Sequence, residues 1–191
     1  MRRRETLIFL LLAAWFIYFA KPGLRAWFSA DDLMNLSGVQ AKSVSAIAFS
    51  LDRPVPNLAY KAMYTAFGFH PRPYRYVAFA LLLANLALAL ALMRRLSGSL
   101  TVTLLGGLLF AYHAQLADLY FSTGTIYDLL CFLFYFSAVL IYVSIRAAGR
   151  APTWLETAAL AALAMLAMGS KEMAATLPIM LAVSELVYGN R

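Results

Sequence analysis

The stretch YVAFALLLANLALALALM, Tyr76–Met93, carries no Asp, Glu, Lys or Arg. A helix of about 18 or more apolar residues spans the roughly 30 Å hydrocarbon core of a bilayer. Leu96–Ala117 and Leu129–Ile145 are equally free of formal charge. The chain of 191 residues is 63% hydrophobic and only 13% charged, with a mean hydropathy of +0.73. Soluble domains are nearer half apolar and a quarter charged. The sequence therefore reads as an all-α, multi-pass transmembrane bundle.

Six crossings are expected, over about 6–21, 74–93, 99–117, 126–145, 152–169 and 172–188. Arg2, Arg3 and Arg4, then Arg94 and Arg95, Arg146 and Arg150, and Arg191 fall on one side of that arrangement. The positive-inside rule makes this side cytoplasmic, with both termini in it. Asp31, Asp32, Asp52, Asp118, Asp128 and Glu172 fall at or near the opposite face. The net charge of +7 is then a matter of membrane flanks rather than of nucleic acid. The basic start and the apolar run Leu7–Ala20 also suit a secretory signal. Tyr18 stands where a cleavage site wants a small residue, so an uncleaved first helix is expected, extending toward Trp27 and Phe28. The setting expected from these features is a bacterial plasma membrane.

Residues 22–73 form a first extracytoplasmic loop too long to be a simple connector. Val44, Ile47, Ala48 and Leu51 share one helical face, which predicts an amphipathic helix on the membrane surface, broken by Pro54 and Pro56. A second helix is predicted over Leu58–Phe67, ending at Gly68. Ala151–Tyr188 is interrupted by Lys171 and Glu172 and reads as a helical hairpin with that pair at its outer tip. Cys131 is the one cysteine, so no intrachain disulfide forms, and its place in an apolar run suits packing.

The neighbouring Asp31 and Asp32 follow the first crossing. Adjacent carboxylates repel, and at a membrane surface they suit proton abstraction from a substrate. They equally suit the capping of a helix start. His113, Asp118, Asp128, Lys171 and Glu172 collect on the same outer face, where ionisable groups mark function. Asp128 also fits as a first-turn helix acid. Lys171 and Glu172 either neutralise each other or leave Lys171 as a cation for phosphate. Arg53, Arg72 and Arg75 stand where positive charge is least expected, offsetting acids or binding lipid phosphate. The spacing of His113, Asp118 and the Asp pair matches no metal-ligand pattern, so no metal site is assigned.

Taken in order, these stretches resemble the GT-C class of membrane glycosyltransferases, most closely the protein O-mannosyltransferase-like branch that includes tetratricopeptide-containing members. Ser29-Ala30-Asp31-Asp32 is similar to that family's acidic motif after the first crossing. Arg53-Pro54 through Tyr60, then Phe67-Gly68, Pro71 and Tyr74-Arg75, resembles its run into the second crossing. Leu108 to His113, Asp118, Gly124 and Asp128 resembles its second acidic region, with departures at Ala114 and Thr125. Ser170-Lys171-Glu172 with Thr176-Leu177-Pro178 is similar to its Lys-Glu segment.

The resemblance implies that residues 1–191 are a single transmembrane domain, the N-terminal part of a larger module. It implies inverting sugar transfer from a polyprenyl-phosphate lipid to an acceptor hydroxyl on a protein, lipid or glycan. Asp31 or Asp32 would be the general base. Lys171 and Arg75 would stabilise the departing phosphate, and His113, Asp118, Asp128 and Glu172 would shape the acceptor side. No cofactor beyond the lipid-linked donor is implied, and a divalent metal is left open. Two other functions fit the composition. One is a transporter or channel subunit, whose charges would lie in mid-membrane. The other is a non-catalytic assembly subunit.

The topology has a direct test. In a Cys131→Ser background, Lys42→Cys is expected to react with a membrane-impermeant maleimide on intact cells. Ser97→Cys is expected to react only after permeabilisation. Labelling of Ser97→Cys alone on intact cells would invert the orientation.

Overall fold

The computed structural model describes residues 3–112, 119 and 121–188, and among these no strand occurs. Helix α1 (Arg3–Ala20) runs into a 3-10 turn, Lys21–Arg25. Three helices follow it: α2 (Ala30–Gln40), α3 (Val44–Ala48) and α4 (Pro54–Phe67). Next come α5 (Pro71–Ser97), α6 (Leu100–Tyr112) and α7 (Ile126–Ala147). Then α8 (Trp154–Met168) leads through a 3-10 turn, Glu172–Thr176, into α9 (Leu177–Tyr188).

Among the described residues, three segments are long and apolar enough to cross a membrane: Thr6–Arg25, Pro71–Ser97 and Ile126–Ala147. At 1.5 Å per residue, α5 and α7 extend about 40 Å and 33 Å, α8 about 23 Å, and the described part of α6 about 20 Å. Only 22% to 39% of the most apolar window of each long segment is buried within the protein. Leu7, Leu10, Leu11, Trp15 and Phe19 of α1 are all exposed. So continuous an apolar surface needs a nonaqueous neighbour, and a lipid environment supplies one.

Helix α5 packs along both α6 and α7, and α7 carries α8 and α9 on its flank. Gly106 and Gly107 let α6 close on α5: a Cβ at either would collide with Met93 or Leu90. In mid-span the buried Asn85 donates from Nδ2 to the Leu129 carbonyl at 2.9 Å. One core joins Phe16, Leu36, Tyr60, Tyr74, Leu86 and Ile126, and so ties the α2–α4 region to the long helices. A second gathers Ala138, Val143, Leu160 and Leu177 between α7, α8 and α9.

The charges sort to two ends. Arg95 donates to the Ser144 carbonyl, and Arg146 pairs with Glu185 at the same end. Asp32, Arg75, Asp128 and Lys171 pair at the other. Arg94 and Arg95 stand in the last turn of α5 and Arg146 in that of α7, where cations offset the helix dipole.

Two local expectations need correction. The helix predicted over 58–67 starts a turn earlier, at Pro54. Proline is favoured in the first helical turn, where its missing N–H costs nothing. The amphipathic helix stops at Ala48, so Leu51 never joins its face and stands fully exposed. Ser50 Oγ accepts instead from the Asp52 N–H at 3.0 Å, bending the chain toward Pro54.

Gly68 closes α4 at φ 55° and ψ −135°, a conformation side chains rarely adopt. Its N–H donates to the Tyr64 carbonyl and its own carbonyl accepts from the Tyr74 hydroxyl, each at 2.8 Å. Gly38 lies inside α2 with open space around it. Opposite signs are expected on thermal unfolding in detergent. Gly68→Ala should lose about 1–3 kcal/mol, whereas Gly38→Ala should gain about 0.5–1 kcal/mol.

Candidate functional site

Ser29 has extended backbone and caps α2. The Asp32 N–H donates to Ser29 Oγ at 3.3 Å, and the Ser29 N–H donates to Asp32 Oδ2 at 2.8 Å. This reciprocal box satisfies two N–H groups that a helix start otherwise leaves open. It also turns the Asp32 carboxylate back under the helix, where only 1% of the residue is exposed. Arg75, likewise 1% exposed, meets it with Nη2 3.2 Å from Oδ2. The same Nη2 reaches the Trp27 carbonyl at 2.5 Å, and Nε lies 3.4 Å from the Ala26 carbonyl. Among the described residues, Arg75 Nη1 is buried with no partner. The two acids are thereby separated in role. Asp32 neutralises a buried cation, while Asp31 is exposed and, among the described residues, makes no ion pair or side-chain hydrogen bond.

The segment before α7 closes over the acids. Ser122 Oγ donates to Asp32 Oδ1 at 3.3 Å and lies the same distance from Ser29 Oγ. Gly124 makes room for this approach: a Cβ there would sit 3.2 Å from the Asp31 Cβ and 3.0 Å from Ser122 Oγ. The buried Tyr60 hydroxyl donates to the Thr123 carbonyl. Burial pushes the Tyr60 phenol well above its ordinary pKa, and Tyr127 and Asp32 add to the shift, so Tyr60 stays a neutral donor. Tyr127 stacks at a tilt 5.6 Å from Tyr60 and donates to Asn57 Oδ1 at 2.7 Å, with Asn35 Oδ1 3.3 Å away.

Beyond Tyr127 the charges pair between distant segments. Lys171 Nζ lies 2.6 Å from Asp128 Oδ1, each side chain about a quarter exposed. Glu172 accepts from Arg53 Nη2 at 3.0 and 3.1 Å. The Glu172 carboxyl lies below its ordinary pKa, held there first by its own backbone N–H and then by Arg53. Arg53 is left-handed, at φ 44°, and its guanidinium lies 5.4 Å from the centre of the Tyr127 ring. Lys171 and Glu172 thus do not neutralise each other: each takes a partner on another element.

Six of the eight site residues expected from sequence lie along one polar seam. It runs from Arg75 through Asp32, Asp31 and the 122–124 segment to Tyr60, Tyr127, Arg53 and Glu172, with Asp128 and Lys171 beside it. His113 and Asp118 lie outside the described residues. Arg75 faces inward, onto Asp32. Among the described residues no three His, Cys, Asp or Glu side chains converge. Sequence reasoning missed Ser29, Ser122, Tyr60, Tyr127 and Asn57. The Ser29-x-x-Asp32 spacing was a readable capping signal. The others meet only through tertiary packing.

Comparison with family models, with curated proteins and with solved structures finds no match for this chain.

Asp32 and Asp31 are expected to respond differently to amide substitution. Asp32→Asn leaves the Arg75 charge buried without an anion and should cost about 3–5 kcal/mol of stability. Asp31→Asn, at an exposed position, should stay within about 0.5 kcal/mol of the parent. Chemical or thermal unfolding of both variants in the same micelle gives the comparison.

Proposed function

We propose that the chain is part of a glycosyltransferase of the GT-C kind. In this reading it moves a sugar from a polyprenyl-phosphate lipid to an acceptor hydroxyl on the extracytoplasmic face, with inversion. The reading includes six crossings, with α6, α8 and α9 traversing alongside the three long helices. It puts both termini in the cytoplasm. The observation that carries it is the division of labour in the acid pair. Asp32 is committed to Arg75, which leaves Asp31 as an exposed carboxylate at the charged end of an apolar bundle.

Asp31 is the general base. Its carboxylate takes the proton of the acceptor hydroxyl as that oxygen bonds to the anomeric carbon. The bond from the anomeric carbon to the phosphate oxygen breaks on the opposite side, and its electron pair leaves with the polyprenyl phosphate. Lys171, which keeps part of its surface in solvent beside Asp128, offers positive charge to that departing group. Arg75 acts as a positioning residue. By holding Asp32 and the Ala26 and Trp27 carbonyls, it fixes the start of α2 and so the place of Asp31. A base of this kind contributes about 10²–10⁴-fold to rate.

The test is transfer of labelled sugar from a polyprenyl-phosphate donor by the full-length protein in membranes. Asp31→Asn is expected to lower turnover by about 10²–10⁴-fold at unchanged protein level. Lys171→Gln is expected to lower it less. Undiminished transfer by Asp31→Asn would remove the assigned base, and absence of transfer by the parent protein with any such donor would remove the reading itself.

A further inference from the structure

Lys21, Arg25 and Arg72 are exposed, and among the described residues no ion pair or hydrogen bond holds their side chains. They belong to different segments. Lys21 and Arg25 open and close the 3-10 turn after α1, and Arg72 is the second residue of α5. These positions are the ends of two of the segments long enough to cross a membrane, and the ends of a crossing segment meet the headgroups. A cavity of about 1070 Å³ opens there, with Arg25, Arg72, His70, Trp27 and Tyr76 among its walls. A cavity of about 270 Å³ adds Lys21 and shares Arg25, Arg72 and Tyr76 with the first. Among the described residues no carboxylate lines either one. Asp31 and Lys171 do not border them, so this is a separate place from the acid site.

Charge of one sign gathered without counterions in a concave site calls for an anion. The helix start contributes little by itself, because Pro71 and Pro73 have no N–H to donate. The guanidinium groups must do the binding, and their fork suits phosphate oxygens. The walls favour an amphiphile over a free ion. Trp27 is 72% and Tyr76 59% exposed, and these residue types sit at the boundary between headgroups and acyl chains. Arg75 holds the Ala26 and Trp27 carbonyls of the groove wall.

We propose that this groove binds the phosphate of an anionic membrane lipid, gripped by Arg25 and Arg72, with Lys21 adding charge. The proposal does not depend on sugar transfer, and its readout contains none. The full-length protein in zwitterionic micelles would be titrated with phosphatidylglycerol, phosphatidylcholine or inorganic phosphate, and binding followed by native mass spectrometry. Phosphatidylglycerol is expected to bind in preference to both others. The Arg25→Gln/Arg72→Gln double variant should weaken it about ten- to thirtyfold. Arg25→Gln alone should weaken it several-fold, while Lys42→Gln, an equal charge change on the exposed surface, should leave it unchanged. Equal binding of phosphatidylcholine would overturn the proposal. So would equal losses in Arg25→Gln and Lys42→Gln, which would mean diffuse attraction. Displacement by inorganic phosphate at matching concentration would overturn the lipid as the source of the anion.

Discussion

Arg75 lies one turn inside the start of α5 with almost no contact with solvent, and a guanidinium so placed must find an anion and acceptors or cost several kcal/mol. Asp32 supplies the anion; the Ala26 and Trp27 carbonyls supply the acceptors. Much of the local architecture follows from meeting that demand. The connection between α1 and α2 is drawn across the head of α5. The start of α2 is fixed by the same carboxylate that closes its capping box. Ser122 approaches the other oxygen of Asp32 and brings the segment before α7 onto the acids. One buried pair therefore sets the relation of three helices.

The membrane character was legible because it is written in one dimension. A charge-free run declares a span without reference to the rest of the chain, and α1, α5 and α7 lie where such runs predict. One helix end was legible where a residue tolerant of positive φ marks it, as Gly68 does at the end of α4. The same reasoning misread Pro54, because proline breaks a helix that precedes it and also opens one that follows. The Asp pair was legible as important but not in its division of roles. Which of two adjacent acids turns inward depends on Ser29 and on Arg75, 43 positions beyond Asp32.

Charge pairing was the least legible feature, for a physical reason. Lys171 and Glu172 are neighbours in sequence, yet consecutive side chains diverge, and each is free to meet a charge on another element. Asp128 lies 43 residues from Lys171, and Arg53 lies 119 residues from Glu172. No local pattern encodes those separations. What composition does encode is the surplus. Sixteen basic residues against nine acidic ones ensure that some cations go without acids. Lys21, Arg25 and Arg72, unmatched among the described residues, are not scattered but border two adjoining cavities at the ends of two segments long enough to span a membrane.

The depth at which polarity sits also bears on the choice among the proposed functions. A transport path needs ionisable or ion-binding groups in the middle of the spans, or helices broken there to expose backbone. In mid-span α5 has a single buried polar side chain, Asn85, whose Nδ2 holds the Leu129 carbonyl of α7 while its Oδ1 has no partner among the described residues. Helices α5 and α7 are unbroken for 27 and 22 residues. The charged side chains lie at the ends of the long helices, and at one end most of the acids are paired within the seam while Asp31, also in it, stays exposed and unpaired among the described residues. An enzyme working on a lipid-borne substrate needs that distribution: an inert hydrocarbon interior and a carboxylate held where water, headgroups and an acceptor can meet. The inference to transfer chemistry rests on this placement of charge rather than on the helical fold, which many membrane functions share.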